Sequence, residues 1–282
     1  MKIVARTGWF LLFTACGLLV FIVFSHYFPL IKGRPGLFGR VLLGLALLSI
    51  ALAARRSERF RTYWLIPFAF FTALAAISVD YHLSLSRWIL PALELEAGSP
   101  AAWAIEKFES SLLGILIVLG LNRLAGQSLG SLYIRRGNLW LGLGVGLAAF
   151  AVFIASVIFV AETYFKAENP SWARILPWMP YILVMVLANA SNEELIFRGL
   201  LIGKMEPHIG KFATNLATTI PFVVAHAFTS YSLDNFIFLA LQLVPLSLLW
   251  CWLMQKSKGL WGSILFHAAA DIPVFVGIFS QL

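Results

Sequence analysis

Nine stretches of the 282-residue chain are apolar over about the twenty residues that a helix needs to cross a hydrocarbon core roughly 30 Å thick. They lie near residues 8–28, 37–54, 63–80, 102–122, 138–161, 178–202, 211–229, 236–255 and 259–280. A backbone in lipid must satisfy its own hydrogen bonds, which restricts spanning segments to helices or a closed barrel. The runs are rich in Leu, Ala, Phe and Gly and lack strict polar/apolar alternation, which excludes the barrel. Hydrophobic residues make up 60% of the chain and charged residues 12%, against about 45–50% and 25% in soluble domains. The expected fold is all-α, a polytopic transmembrane bundle of eight or nine spans.

The net charge of +8 does not point to nucleic acid, because the Lys and Arg residues cluster at the ends of apolar runs, as membrane topology demands. With nine spans, Lys2 and Arg6, then Arg55, Arg56, Arg59 and Arg61, then Arg123, Arg135 and Arg136, then Lys204 and Lys211, then Lys256 and Lys258 all fall on one side. That side is expected to be cytoplasmic, with the N-terminus inside and the C-terminus outside. Lys32, Arg34 and Arg40 dissent. The first run is too long for the apolar region of a signal peptide and reads as an uncleaved span. Cys16 and Cys251 lie in separate runs without metal-ligand spacing and read as packing residues. The stretch from Leu83 to Ala97, with Arg87, Glu94 and Glu96, suits an interfacial helix. Residues 162–177 suit an interfacial loop with aromatic anchors.

Ionisable groups inside spans are costly and mark candidate sites. Glu106, Lys107 and Glu109 open the fourth run, where opposite charges can pair, and a structural role is expected. The sixth run ends in Asn192-Glu193-Glu194-Leu195-Ile196-Phe197-Arg198. On a helix Glu194 and Arg198 share a face, whereas Glu193 points about 100° away. Arg198 can therefore hold Glu194 and leave Glu193 for other work. The seventh run carries Phe222-Val223-Val224-Ala225-His226, and the ninth carries His267-Ala268-Ala269-Ala270-Asp271, with His267 and Asp271 on one face. The three alanines keep that helix slim.

These three motifs, Glu193-Glu194-x-x-x-Arg198, Phe222-x-x-x-His226 and His267-x-x-x-Asp271, resemble in order and spacing those of the CPBP family of intramembrane proteases. That family includes type II CAAX prenyl proteases and bacterial self-immunity proteins. The resemblance covers about residues 180–275. It implies that Glu193 and His226 activate water for attack on a peptide carbonyl, that Glu194 is tied to Arg198, and that His267 and Asp271 face the oxyanion. Phe222 is expected at the substrate. Many relatives carry Asn at the position of Asp271, and an ionised carboxylate cannot donate, so Asp271 either carries a proton or orients His267. Two histidines and several carboxylates also suit zinc. The His-Glu-x-x-His signature is absent, however, and the expected mechanism uses no metal and no cofactor.

Two other classes compete with a peptidase. A non-catalytic scaffold or immunity protein would keep the polar cluster for folding, and a proton-coupled transporter would use it as a relay, though transporters more often show repeated halves. The chain divides by this reading into N-terminal spans of unassigned role, residues 1–170, and a catalytic membrane core, residues 171–282. Expected partners are membrane lipid and a membrane-anchored or lipidated peptide or protein substrate. The expected location is a bacterial inner membrane.

Overall fold

A computed structural model describes residues 3–25, 30–227 and 237–281, and among these there is no strand. The helices are α1 (Ile3–Leu18, continued by a π turn over Leu19–Val23), α2 (Gly33–Arg56), α3 (Leu65–His82), α4 (Ser86–Ala92), α5 (Pro100–Leu124), α6 (Leu139–Ala155) and α7 (Val157–Phe165). After them come α8 (Trp172–Ile175), α9 (Met179–Glu194), α10 (Gly203–Ile209), α11 (Lys211–Ala227), α12 (Val244–Ser257) and α13 (Trp261–Phe279). Residues Leu195–Ile202, between α9 and α10, are π-helical and wholly buried.

The all-helical membrane bundle expected from the sequence is present, but the count of eight or nine spans is not reached. Among the described residues five helices are long and apolar enough to cross a membrane: Ala5–Val23, Gly33–Arg56, Trp172–Ile209, Leu239–Ser257 and Trp261–Phe279. The pair α6 and α7 makes a sixth if its two halves are one span. Leu65–Val79 is shorter, α5 carries Glu106, Lys107 and Glu109 within its length, and α11 has 17 residues. Parts of the first, seventh and eighth apolar runs (26–28, 228–229 and 236), together with Lys2, lie outside the described residues.

The fifth run, expected to be straight over 138–161, bends by 71° between α6 and α7. No Pro or Gly marks the bend. Instead the Ser156 hydroxyl donates to the Val152 carbonyl at 2.8 Å, competing with the helical ladder in the way that bends membrane helices.

Packing centres on α13, which lies against α6, α9, α7 and α12, while α5 lies against α9 and α3. The α6–α13 seam is a contact of bare backbones. A Cβ built on Gly262 would stand 2.6 Å from the Gly142 Cα, and one on Gly146 would stand 2.7 Å from the Leu265 Cβ. Gly142-x-x-x-Gly146 is thus the small-residue pattern that lets membrane helices approach closely where no hydrophobic drive exists between them. Ala268 and Ala269 are fully buried, as a slim helix face requires.

Glu109 is buried, and its carboxylate accepts the backbone N–H groups of Leu85 and, at 2.6 Å, Ser86. A carboxylate at these first amides of α4 satisfies donors that a helix start leaves open. The acid interrupting the fourth run therefore has the structural role expected of it: it fastens the short helix found where an interfacial one was expected. Cys16 and Cys251 are free thiols, Cys251 buried among packing residues.

Candidate active site

Three helices and one π segment bring the sequence motifs together. The last turn of α9 supplies Glu193 and Glu194, the π segment supplies Arg198, α11 supplies Phe222 and His226, and α13 supplies His267 and Asp271. π segments are rare and recur at functional sites.

Half of the cluster is closed. The Glu194 Oε1 lies 3.0 Å from the Arg198 Nη1, with side-chain exposures of 0% and 1%, so the pair expected from helical spacing forms in a fully buried setting. The same oxygen accepts from the His267 Nδ1 at 2.8 Å. Arg198 also donates from Nη2 to the Ser247 hydroxyl at 2.8 Å, and Ser247 meets the Thr219 hydroxyl at 2.9 Å. The guanidinium lies 4.5 Å above the Phe222 ring and 5.2 Å above that of Trp250. The indole of Trp250 in turn stacks on His267 at 4.0 Å and 11°. A buried ion pair is stable only when its remaining hydrogen-bond capacity is met; here Ser247 and His267 meet part of it and two aromatic faces cover the guanidinium, while the Arg198 Nε and the Glu194 Oε2 have no hydrogen-bond partner.

The other half is open. The His267 Nε2, with Nδ1 committed to Glu194, lies 3.6 Å from the Glu193 Oε2 and 3.6 Å from the Asp271 Oδ1. Both carboxylates keep partial access, 22% and 19% of their side chains, and the Glu193 Oε2, itself turned inward and buried, has no hydrogen-bond partner. Asp271 is held from its far oxygen, where Asn189 donates to Oδ2 at 3.0 Å. His226 is exposed at the end of α11. Its Nδ1 sits 2.8 Å from the Phe222 carbonyl oxygen, the geometry of an N–H donor that fixes the ring.

Five of the six polar residues singled out in the sequence thus meet directly, and His226 adjoins them through Phe222, whose ring lies 4.5 Å from its own. Phe222 takes a different position from the one expected of a substrate contact. It is 1% exposed and packs edge-on against Phe197, Trp250 and His267, so its ring supports the cluster from within. Sequence reasoning missed Asn189, Ser247, Thr219 and Trp250. Asn189 left a signal, since it stands one turn before Glu193 in an apolar run. Trp250 left none, being one aromatic residue among many in its span. Among the described residues no group of three or more His, Cys, Asp or Glu is arranged to hold a metal ion.

Residues 175–273 match the family described as Type II CAAX prenyl endopeptidase Rce1-like, and all three motifs fall inside the match. Comparison with curated proteins and with solved structures returned no match. The matched segment implies a membrane-embedded peptidase acting on a peptide substrate. Over residues 175–273, about a third of the chain, the protein is thus similar to the type II CAAX prenyl endopeptidase Rce1-like family.

Proposed function

We propose that the chain is a glutamate-type intramembrane endopeptidase that cleaves a membrane-anchored or C-terminal peptide without a metal. The observation that carries this reading is the division of labour between adjacent glutamates. Glu194 is enclosed between Arg198 and His267, whereas Glu193 is partly accessible and has an uncommitted oxygen.

In this reading Glu193, with His226 beside it, takes a proton from water as the oxygen attacks the scissile carbonyl. His267, protonated on Nε2, donates to the tetrahedral oxyanion, a role that needs the donor fixed in advance. Glu194 and Trp250 fix it, one by accepting from Nδ1 and the other by stacking. Asp271 orients His267 and not the oxyanion, because Asn189 already occupies its far oxygen. Glu193 then returns the proton to the leaving amine, which closes the cycle with a new carboxyl terminus and a free amine.

Positioned proton transfer contributes about 10²–10⁴-fold, which sets the scale of the test. Cells carrying the native chain, Glu193→Gln or His226→Ala are compared by mapping membrane-protein C-termini, and the rate is then measured on whichever peptide changes. Each variant is expected to lose cleavage by that factor while staying folded in the membrane, and the double variant is expected to be little worse than either single one. Near-native turnover in Glu193→Gln overturns the assignment.

A further inference from the structure

The N-terminal helices lie outside the matched segment, and they frame a cavity of their own. α1 packs against α10 and α11, and α2 packs against α3, which leaves an apolar cavity of about 440 Å³ between them. Trp9, Phe13 and Cys16 wall one side and Leu47, Ile50 and Ala54 the other. The flank is open to the surroundings at Leu12 and Ile50, both exposed. One end is formed by Ser57, Phe60 and Tyr63 of the α2–α3 turn.

That end is strongly cationic. Arg55, Arg56, Arg59 and Arg61 fall within seven residues that include one acid, Glu58. All four are exposed, and among the described residues none is ion-paired with a carboxylate. Arg6 adds a fifth charge, because it precedes Trp9 by three residues and Trp9 stacks on Tyr63 at 4.9 Å. Aromatic rings line the same level, with the Arg55 guanidinium 4.9 Å from Trp64 and that of Arg59 5.3 Å from Phe60.

An apolar cavity of this kind does not hold water, which needs polar partners. Inside a bilayer the filler at hand is an acyl chain. Guanidinium groups above it suit a phosphate oxygen pair, and basic clusters at a membrane surface attract anionic lipid. We propose that α1, α2 and α3 form a binding site for one anionic phospholipid, an acyl chain in the cavity and the headgroup phosphate against Arg55, Arg56 and Arg59. The occupant bears on the site described above through α1. Gly17 lies so close to Pro221 that a Cβ there would stand 2.6 Å from the proline ring, and Phe21 meets Phe197 at 4.4 Å. Those contacts immediately precede Phe222 and Arg198, so a filled cavity braces α1 against the helices that carry them.

The test uses the full-length protein in detergent, with lipid retention followed by native mass spectrometry and thermal unfolding measured alongside. The additives are phosphatidylglycerol, phosphatidylcholine with the same chains, and inorganic phosphate. Phosphatidylglycerol is expected to be retained as one copy and to raise Tm, phosphatidylcholine much less so, and phosphate not at all. Arg55→Gln/Arg56→Gln/Arg59→Gln, confined to exposed side chains, is expected to weaken retention on the order of 100-fold, since each arginine near an anionic surface contributes about fivefold. Ala54→Phe, which projects a ring into the cavity and leaves every charge, is expected to weaken retention and to remove the preference between the two lipids. Equal retention of the two lipids, a Tm rise with phosphate alone, or unchanged selectivity in the arginine variant overturns the proposal. Selectivity surviving in a folded Ala54→Phe reduces the cluster to a general surface attraction and overturns it as well.

Discussion

Arg198→Met isolates the Glu194 carboxylate in a fully buried setting. At 3.0 Å and an effective dielectric of about 20, the attraction between the two charges is roughly 5 kcal/mol. Desolvating them costs several kcal/mol each, so the intact pair contributes little net stability. Breaking it is another matter. With the guanidinium gone, Glu194 keeps only the His267 Nδ1 at 2.8 Å, and an uncompensated buried charge costs about 3–5 kcal/mol. The lower end is expected here, because a membrane protein's unfolded state also finds polar partners. Glu194→Gln in the same chain removes the stranded charge and is expected to recover at least about 2 kcal/mol of coupling. Recovery stays incomplete, since the bond from Arg198 to Ser247 is lost too and such bonds are worth about 1 kcal/mol or somewhat more. The two single variants and the double variant are to be compared by reversible unfolding in mixed micelles, followed by circular dichroism. A cost below about 1 kcal/mol for Arg198→Met, or strict additivity in the double variant, refutes the picture of Glu194 as a charge held by Arg198.

Gly262→Val drives a branched side chain into the Gly142 backbone and is expected to destabilise the bundle by more than the 1–3 kcal/mol typical of overpacking, measured as loss of folded protein in the same assay. Asp271→Asn is expected to retain most activity if Asp271 orients His267, and Asp271→Leu to lose it. A chelator should leave the native rate unchanged, whereas stoichiometric zinc whose removal abolishes activity and whose return restores it refutes the metal-free mechanism. Reporter fusions after residues 60, 130, 207 and 257 are expected to report the cytoplasmic side, and two or more on the opposite side overturn the orientation drawn from the basic clusters.

The candidate site was more legible in the sequence than the fold around it. Charge inside an apolar run is rare enough that Glu193, Glu194, Arg198, His226, His267 and Asp271 stood out individually, and helical spacing alone paired Glu194 with Arg198. Periodicity carried no record of the partners brought by tertiary packing. Ser247 and Thr219 are ordinary hydroxyls of membrane helices until Arg198 reaches Ser247 and Ser247 meets Thr219, and the stack of Trp250 on His267 depends on the placement of two helices. Span counting failed where hydropathy and backbone disagree. Ser156 bends an uninterrupted apolar run through one hydroxyl, and α5 carries four charges within a continuous helix of 25 residues. The covered position of Phe222 is a packing outcome that its motif could not announce.

The π segment from Leu195 to Ile202 has a consequence for how this region tolerates change in length. Hydrogen bonding from i to i+5 takes more residues per turn than the 3.6 of an α-helix, so the chain leaves the segment rotationally behind where an α-helix of equal length would have brought it. The span therefore has two phases. Before the segment, Asn189 and Glu193 address α13; beyond it, Lys204 donates to the Ser131 hydroxyl at 2.9 Å. The segment acts as a vernier between these two bearings, and a residue gained or lost there is felt as an angle, turning one half of the span against the other while hardly altering its reach.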